Sequence, residues 1–395
     1  MTARPRIDDE QRRARLGVRH LLAPAHRADR TEDVAGAVVA LHATDPSTVF
    51  LSVAARLRAP SAAPTEQALY EDDTLVRMHG MRHTLFVVDE AAAPVVHSST
   101  TLKVAARERR SMLAAFAAAG LDAGWTARVE DRTLAALADA GEATGARLGT
   151  LVPELRQEIP YGVGTSYATT QSVSMRLLRV LGMEGAIVRR RPVGSWTSSQ
   201  HQWALHRPYL PLPVADAQAA LAARWLASYG PGTAEDLKWW TGWGVREVRA
   251  ALAACDAVAV ELEDGGEGYV LPGDVEAVAA PAEPWAALLP SLDPTAMGWQ
   301  QRDWYFGAAL RGELVDRSGN IGPTVWWNGR IVGGWAQRAD GEIVWELLGA
   351  DATDPADAAS VEEAVAVEAE RLRGWVGDVR ITPRFRTPLE RRLSS

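Results

Sequence analysis

Three times along the chain, helical periodicity gives way to two short alternating strands, and that recurrence limits the fold more than any other feature. The third occurrence is the plainest. The spacing predicts a helix over 216–229, broken by Gly230-Pro231, and Thr233-Ala234-Glu235-Asp236 opens a second, with Asp236 where a capping box carries Glu or Gln. Val245 to Ala254 is the third helix. Val258 to Leu262 and Tyr269 to Leu271, joined by Asp264-Gly265-Gly266-Glu267-Gly268, then alternate as a hairpin. The second occurrence has helices over 128–140, from Thr150-Leu151-Val152-Pro153-Glu154, and over 168–181. Its hairpin leaves through Ala186 to Pro192 and returns through Gln202 to Leu205. The first has a helix over 8–22, one on each side of His42 and a short one from Thr65, and its hairpin pairs Leu75–His79 with His83–Val88. A long Ala-rich helix ending near Gly120 links it to the second.

Three helices closed by a hairpin is the winged-helix pattern. Beyond about residue 283 the character changes. Thr324 to Trp327, Asn328-Gly329 and Arg330 to Trp335 read as a hairpin with a type I′ turn, and Asp340-Gly341 leads into Ile343 to Leu347. An amphipathic helix over 360–376 and a basic end, Arg384 to Arg392, complete the chain. The expected fold is α+β: three tandem winged-helix units, over 1–120, 121–210 and 211–282, then a small C-terminal β-barrel or meander over 283–395.

Composition narrows the functional classes. A hydrophobic fraction of 47% and a charged fraction of 23% are ordinary for a soluble globular protein. Met1-Thr2-Ala3-Arg4-Pro5 lacks the apolar core of a signal peptide and no apolar run is long enough to span a bilayer, so a cytoplasmic location is expected. The single Cys255 excludes an internal disulfide framework, and the histidines show no metal-ligand spacing. No Gly-rich loop precedes a helix with a lysine, so nucleotide hydrolysis has no support. The net charge of −8 argues against a nucleic-acid partner only if the charge is evenly spread. Nearly all the cations are arginine, with Lys103 and Lys238 the only lysines. Arginine suits phosphate contacts, and GC-biased codon usage accounts for the same composition.

The candidate reactive stretch is Leu41-His42-Ala43-Thr44-Asp45-Pro46. Upstream, Thr31 can cap a helix with Val34, Val38 and Leu41 on one face; downstream, Asp45-Pro46 reads as an N-cap with proline at the first helical position. His42 and Thr44 then sit on a tight link between two helices, free to project outward. Taken alone, His42 needs no purpose beyond the helix dipole. Arg189-Arg190-Arg191 on a predicted strand can touch a phosphate backbone, or can be the charged guard of an edge strand. Trp239-Trp240 and Trp326-Trp327 read as core pairs before base-stacking platforms.

The chain also resembles, over nearly its whole length, the winged-helix family of bacterial DNA glycosylases with AlkZ-like and YcaQ-like branches. The matching stretches are Ala40 to Pro46, Gly80-Met81-Arg82-His83-Thr84-Leu85-Phe86-Val87, Tyr229 to Trp240, Leu288 to Pro294 with Met297-Gly298, and Gly319-Asn320-Ile321-Gly322-Pro323-Thr324-Val325-Trp326-Trp327. The resemblance implies three winged-helix units and a small C-terminal barrel curved around DNA. It implies a monofunctional glycosylase, a monomer without metal or cofactor, acting on double-stranded DNA that carries alkylated bases, in base excision repair or in self-resistance to a genotoxin. The family's Gln-x-Gln or Gln-x-Asp motif falls on His42-Ala43-Thr44, so its water-holding role passes to His42 and Thr44. An imidazole can accept a proton near neutrality and a hydroxyl can orient a water. Asp45 is placed to stabilise a cationic sugar, and capping the helix accounts for it equally well. Arg82 and Asn320, inside matched stretches, join Arg189, Arg190 and Arg191 as expected DNA contacts. The alternative is a DNA-binding regulator or damage sensor without catalysis; a hydrolase of another substrate has no residue in its favour.

Overall fold

The computed structural model describes residues 4–162, 164–165, 168–348 and 358–395, so Met1 to Ala3 of the opening stretch lie outside the described residues. One element order recurs three times: helix, extended segment, two helices, two strands. In the first occurrence the helices are Thr31–Ala37, Pro46–Arg56 and Ala62–Tyr70, and strand Leu41–His42 lies beside Leu85–Asp89, which lies beside Leu75–His79. In the second, Ala123–Ala140, Gly145–Leu151 and Val173–Met183 accompany Glu142–Thr144, His201–Leu205 and Ile187–Pro192 in the same sheet order. In the third, Val214–Tyr229, Ala234–Thr241 and Val245–Ala254 accompany the hairpin Val258–Leu262 and Glu267–Val270. Here a single bridge from Gly232 to Tyr269 replaces the first strand, and Arg6–Ile7 pairs in parallel with Val258–Leu262 on the far side.

Local chemistry explains where these elements begin. Thr233 accepts from the Asp236 amide and Asp236 from the Thr233 amide, both at 3.0 Å, so aspartate completes the capping box as glutamate would. Thr31 is no cap: it is the first helical residue, and its hydroxyl meets Thr65 at 3.1 Å. Thr150 does not open a helix either. It lies near the end of Gly145–Leu151, whose cap is Thr144. Residues expected to be helical at 169–172 instead form a strand paired with Glu158–Tyr161, a hairpin inserted before the third helix of this unit.

The C-terminal region is an open antiparallel meander in the order Ala286–Leu289, Thr324–Trp327, Arg330–Gln337, Ile343–Leu347. The barrel expected from the resemblance is absent: among the described residues no strand joins the two edges. Helix Ala358–Val376 packs against the first and last strands instead. At the Asn328-Gly329 turn both φ angles are positive, 44° and 82°, as a type I′ turn requires.

Two glycines in the resembling stretches have a packing reason. A Cβ on Gly232 would lie 2.3 Å from the Trp225 ring, and one on Gly298 would lie 2.3 Å from Tyr229. These rings belong to a core shared by the first helix, Asp9–Arg19, the third unit and the meander. A second core joins Val34, Leu41 and Val49 to Val325, Trp335 and Val365, so the segment around His42 rests on the C-terminal sheet and helix. Leu148, Leu177 and Trp203 of the second unit are in a separate core with Met112 and Phe116 from the long helix Leu102–Ala118.

Candidate active site

His42 is not on a helical link. The upstream helix stops at Ala37, Val39 turns the chain with φ of 64°, and Leu41 and His42 pair as a short strand with Val87 and Phe86. The imidazole therefore points into the protein rather than outward. It is 5% exposed, sits edge-on to Phe86 with ring centroids 5.0 Å apart, and its Nδ1 accepts from the Thr44 amide at 3.5 Å. Burial, and then the Arg82 guanidinium, push its pKa down to about 3. His42 is thus a neutral imidazole in the free protein, not the near-neutral proton acceptor that the residue type suggests. An accepting Nδ1 puts the proton on Nε2, which has no protein partner among the described residues.

The rest of the stretch is fixed from both sides. Asp45 caps Pro46–Arg56 with Oδ1, which accepts from the Ser47 amide at 3.0 Å and the Ser47 hydroxyl at 2.7 Å. Its Oδ2 accepts from the backbone of Arg384 at 2.9 Å, and the Arg384 side chain reaches the Thr44 carbonyl at 3.4 Å. From the other side, buried Arg77 donates to the Ala43 carbonyl at 2.6 Å. Thr44 is half-buried, and its hydroxyl has no protein partner among the described residues. Two unengaged polar groups, His42 Nε2–H and Thr44 Oγ1, are therefore carried by backbone that cannot readily shift.

Below them the capped helix is anchored by a fully buried ion pair. Arg56 forks onto Asp293 at 2.9 and 2.7 Å, and Asp293 also accepts from the Ser52 hydroxyl at 2.7 Å and the Thr295 amide at 2.9 Å. Arg56 Nε donates to the His20 carbonyl at 3.0 Å. Burial alone would raise the Asp293 carboxyl; the Arg56 guanidinium and these hydrogen bonds outweigh it and hold the group below the usual carboxylate range.

Arg82, the one expected DNA contact close to His42, sits in a turn with φ of 51°. Its guanidinium is 4.0 Å from the Trp239 ring centroid, and Arg302 is 5.0 Å from the same centroid. Burial, and then Arg302, lower Arg82 to about 10, and its Nε is buried without a partner. Trp239 is accordingly a cation platform, whereas Trp240, Trp326 and Trp327 are core as expected.

The arginine triplet divides. Arg190 is bound to Asp73 and the Tyr70 carbonyl, with Glu142 at 3.2 Å, and Arg191 to Glu66 at 2.8 Å and Glu71 at 2.9 Å. Both are committed to the protein's own acceptors, which sequence spacing could not reveal. Arg189 has no such partner. Asn320 closes a loop on Asp316 through its amide at 2.8 Å and its side chain at 2.9 Å. Sequence reasoning passed over Arg77, Arg302 and Arg384, and only the basic end containing Arg384 carried any signal. Among the described residues no His, Cys, Asp and Glu group could hold a metal, and no helix is long and apolar enough to cross a membrane.

The structure resembles the DNA glycosylase AlkZ of Streptomyces sahachiroi with a TM-score of 0.70 and 21% identity, covering 93% of this chain and 97% of that one. No curated relative matches the sequence. The family model for AlkZ-like DNA glycosylases matches residues 35–375, a span that takes in the His42 strand, the Arg77–Arg82 hairpin and the meander. The chain belongs to the AlkZ-like DNA glycosylase family.

Proposed function

We propose that this protein is a monofunctional DNA glycosylase that hydrolyses the N-glycosidic bond of N7-alkylated purine nucleotides, bulky adducts included, in double-stranded DNA. The observation that carries the proposal is the pair of unengaged polar groups, His42 Nε2–H and Thr44 Oγ1, in the stretch onto which the sequence resemblance sets the family's catalytic motif. An alkylated purine is already cationic, so the C1′–N9 bond can break with its electron pair leaving on a neutral base. Water then adds its oxygen to C1′, and the proton it loses passes to bulk water. His42 donates to that water and Thr44 accepts from it, which positions the water before the bond breaks. Because the sugar carries the positive charge, the water becomes acidic as it bonds, and no strong base is required. Asp45 contributes its negative charge beside the cationic sugar while capping the helix. Arg82, Arg189 and Asn320 face the DNA in this reading, each recurring unit is a winged helix, and the protein works as a cytoplasmic monomer without metal or cofactor.

The replacement of both family glutamines by His42 and Thr44 favours one other reading, a damage-binding protein without chemistry. Incubating the purified protein with a duplex carrying one N7-alkylguanine separates them. A glycosylase releases the free modified base, whereas a sensor retains the duplex and releases nothing.

A further inference from the structure

Where the first and second units meet, strand Leu75–His79 packs on strand Ile187–Pro192 and gathers two arginines, Arg77 and Arg189, with the neutral imidazoles of His79 and His201; neither arginine makes an ion pair among the described residues. Arg77 and His79 are two residues apart on one strand and so share a face. Arg189, across from them, pairs in register with Trp203, and its guanidinium lies 5.1 Å from that ring centroid. It makes no hydrogen bond and no ion pair among the described residues. The Nε atoms of Arg77 and Arg189 and the Nε2 of His201 are all buried without a partner. Arg189 is driven down to about 9 by burial, then by Arg77 and Arg179; His79 and His201 fall to about 3, both from burial and then from Arg189, with Arg77 adding to each.

Like charges gathered in low dielectric repel, and unpaired buried guanidinium nitrogens are costly. The adjacent Arg190 and Arg191 each have carboxylates, so the lack of one at Arg189 is specific to that position. Arg189 and His201 keep part of their surface in solvent, leaving the cluster open to an incoming group. An anion with several acceptor oxygens matches the free Nε–H groups of Arg77 and Arg189 and an N–H of His79; His201, whose Nδ1–H donates to the Ser199 carbonyl at 3.1 Å, adds a donor through Nε2 by taking up a proton with the anion. Arg77 also holds the Ala43 carbonyl, so an anion here lies next to the His42-Ala43-Thr44 stretch.

We propose that Arg77, His79, Arg189 and His201 form a seat for one backbone phosphodiester of DNA, flanking the nucleotide presented to His42 and Thr44. The inference rests on the DNA-binding part of the function proposed above, not on base release. It assigns Arg77, His79 and His201 a role that no sequence pattern suggested.

The test is binding of an undamaged, fluorescently labelled duplex by the full-length protein across a salt series. Arg189→Gln should reduce the slope of log Kd against log salt by about 0.9, the value for one lost phosphate contact. Arg373→Gln removes the same charge from an exposed pair with Glu370 and should leave the slope unchanged. Arg189→Lys, the milder change, should keep the slope while weakening the affinity. An Arg189→Gln slope equal to wild type overturns the seat. So does a site where inorganic phosphate raises the melting temperature of wild type but not of Arg189→Gln, while the DNA slope stays unchanged; that result means a free-anion site. A normal slope change in a protein that releases no base supports the seat and refutes only the catalytic reading.

Discussion

Replacing Asp293 with asparagine should destabilise the protein by about 3–5 kcal/mol, the usual cost of leaving one partner of a buried ion pair uncompensated. Arg56 and Asp293 both have 0% side-chain exposure, so water cannot take over from the lost charge. The guanidinium would still be anchored to the Ser52 and His20 carbonyls, which holds it in place rather than letting it escape to solvent. Removing both charges, in Arg56→Met with Asp293→Leu, should cost less than the sum of the single changes, because no bare charge remains. It should not restore wild-type stability. The Ser52 hydroxyl, Thr295 amide and His20 carbonyl would each lose a partner, at about 1–3 kcal/mol for a buried polar group. Urea unfolding followed by tryptophan fluorescence compares wild type, Asp293→Asn, Arg56→Met, Asp293→Leu and the double variant. A loss below about 1 kcal/mol for Asp293→Asn, or strict additivity in the double variant, would refute the reasoning.

Acid should unfold the protein in two stages with different origins. His20 and His42 have folded pKa values depressed to about 3, so the unfolded chain takes up protons first. Each removes about 1.4 kcal/mol per pH unit as pH falls from about 6.5 toward 3. Asp293 is also depressed, so its contribution is present above the unfolded carboxylate value of about 3.9 and is lost as pH falls through its lower folded value. Stability measured at stepwise pH should thus begin falling near 6.5; a flat curve down to pH 4 would contradict the burial argument. Replacing Arg190 and Arg191 together should lower the melting temperature and leave DNA affinity nearly intact, because both are spent on the protein's own acceptors; the two readouts can be taken from one preparation. Strand cleavage should need added alkali, since an enzyme-bound Schiff base requires an amine and both Lys103 and Lys238 are ion-paired, at 2.9 Å, to Glu247 and Glu235. Borohydride trapping of a protein–DNA adduct would count against this.

The parts of the fold legible in the sequence were those set by local chemistry. Val245–Ala254 is read from periodicity, Asp45-Pro46 from cap preference, and Asn328-Gly329 from the one turn type that accepts two positive φ angles. What escaped depends on distant partners. Leu41–His42 is too short to show alternation and exists as a strand only because Val87 and Phe86 complete it. Ala286–Leu289 is uniformly buried, so it has no polar face to betray it as an edge strand. The same limit applies at the site. Residue type suggests that His42 titrates near neutrality, yet burial behind Phe86 and beside Arg82 decides otherwise. Arg77 and Arg384 reach the reactive stretch only through the tertiary fold, and the pairing of Arg190 and Arg191 with Asp73, Glu66 and Glu71 is equally remote in sequence.

The central claim is that His42 and Thr44 together hold the attacking water. Its most direct test is the single-turnover rate of base release from a duplex with one N7-alkylguanine, compared among wild type, His42→Ala, Thr44→Val and the double variant. Wild type should release the base and leave an abasic strand. His42→Ala should lose about 10²-fold, at the low end for a group acting on the attacking water, and Thr44→Val less. Sharing one water, the two changes together should cost less than the product of their separate losses. Wild-type release should stay constant from pH 8 down to about 5, since His42 remains neutral throughout. No release by wild type, unchanged release by His42→Ala, or a rate that halves near pH 6.5 would contradict the account.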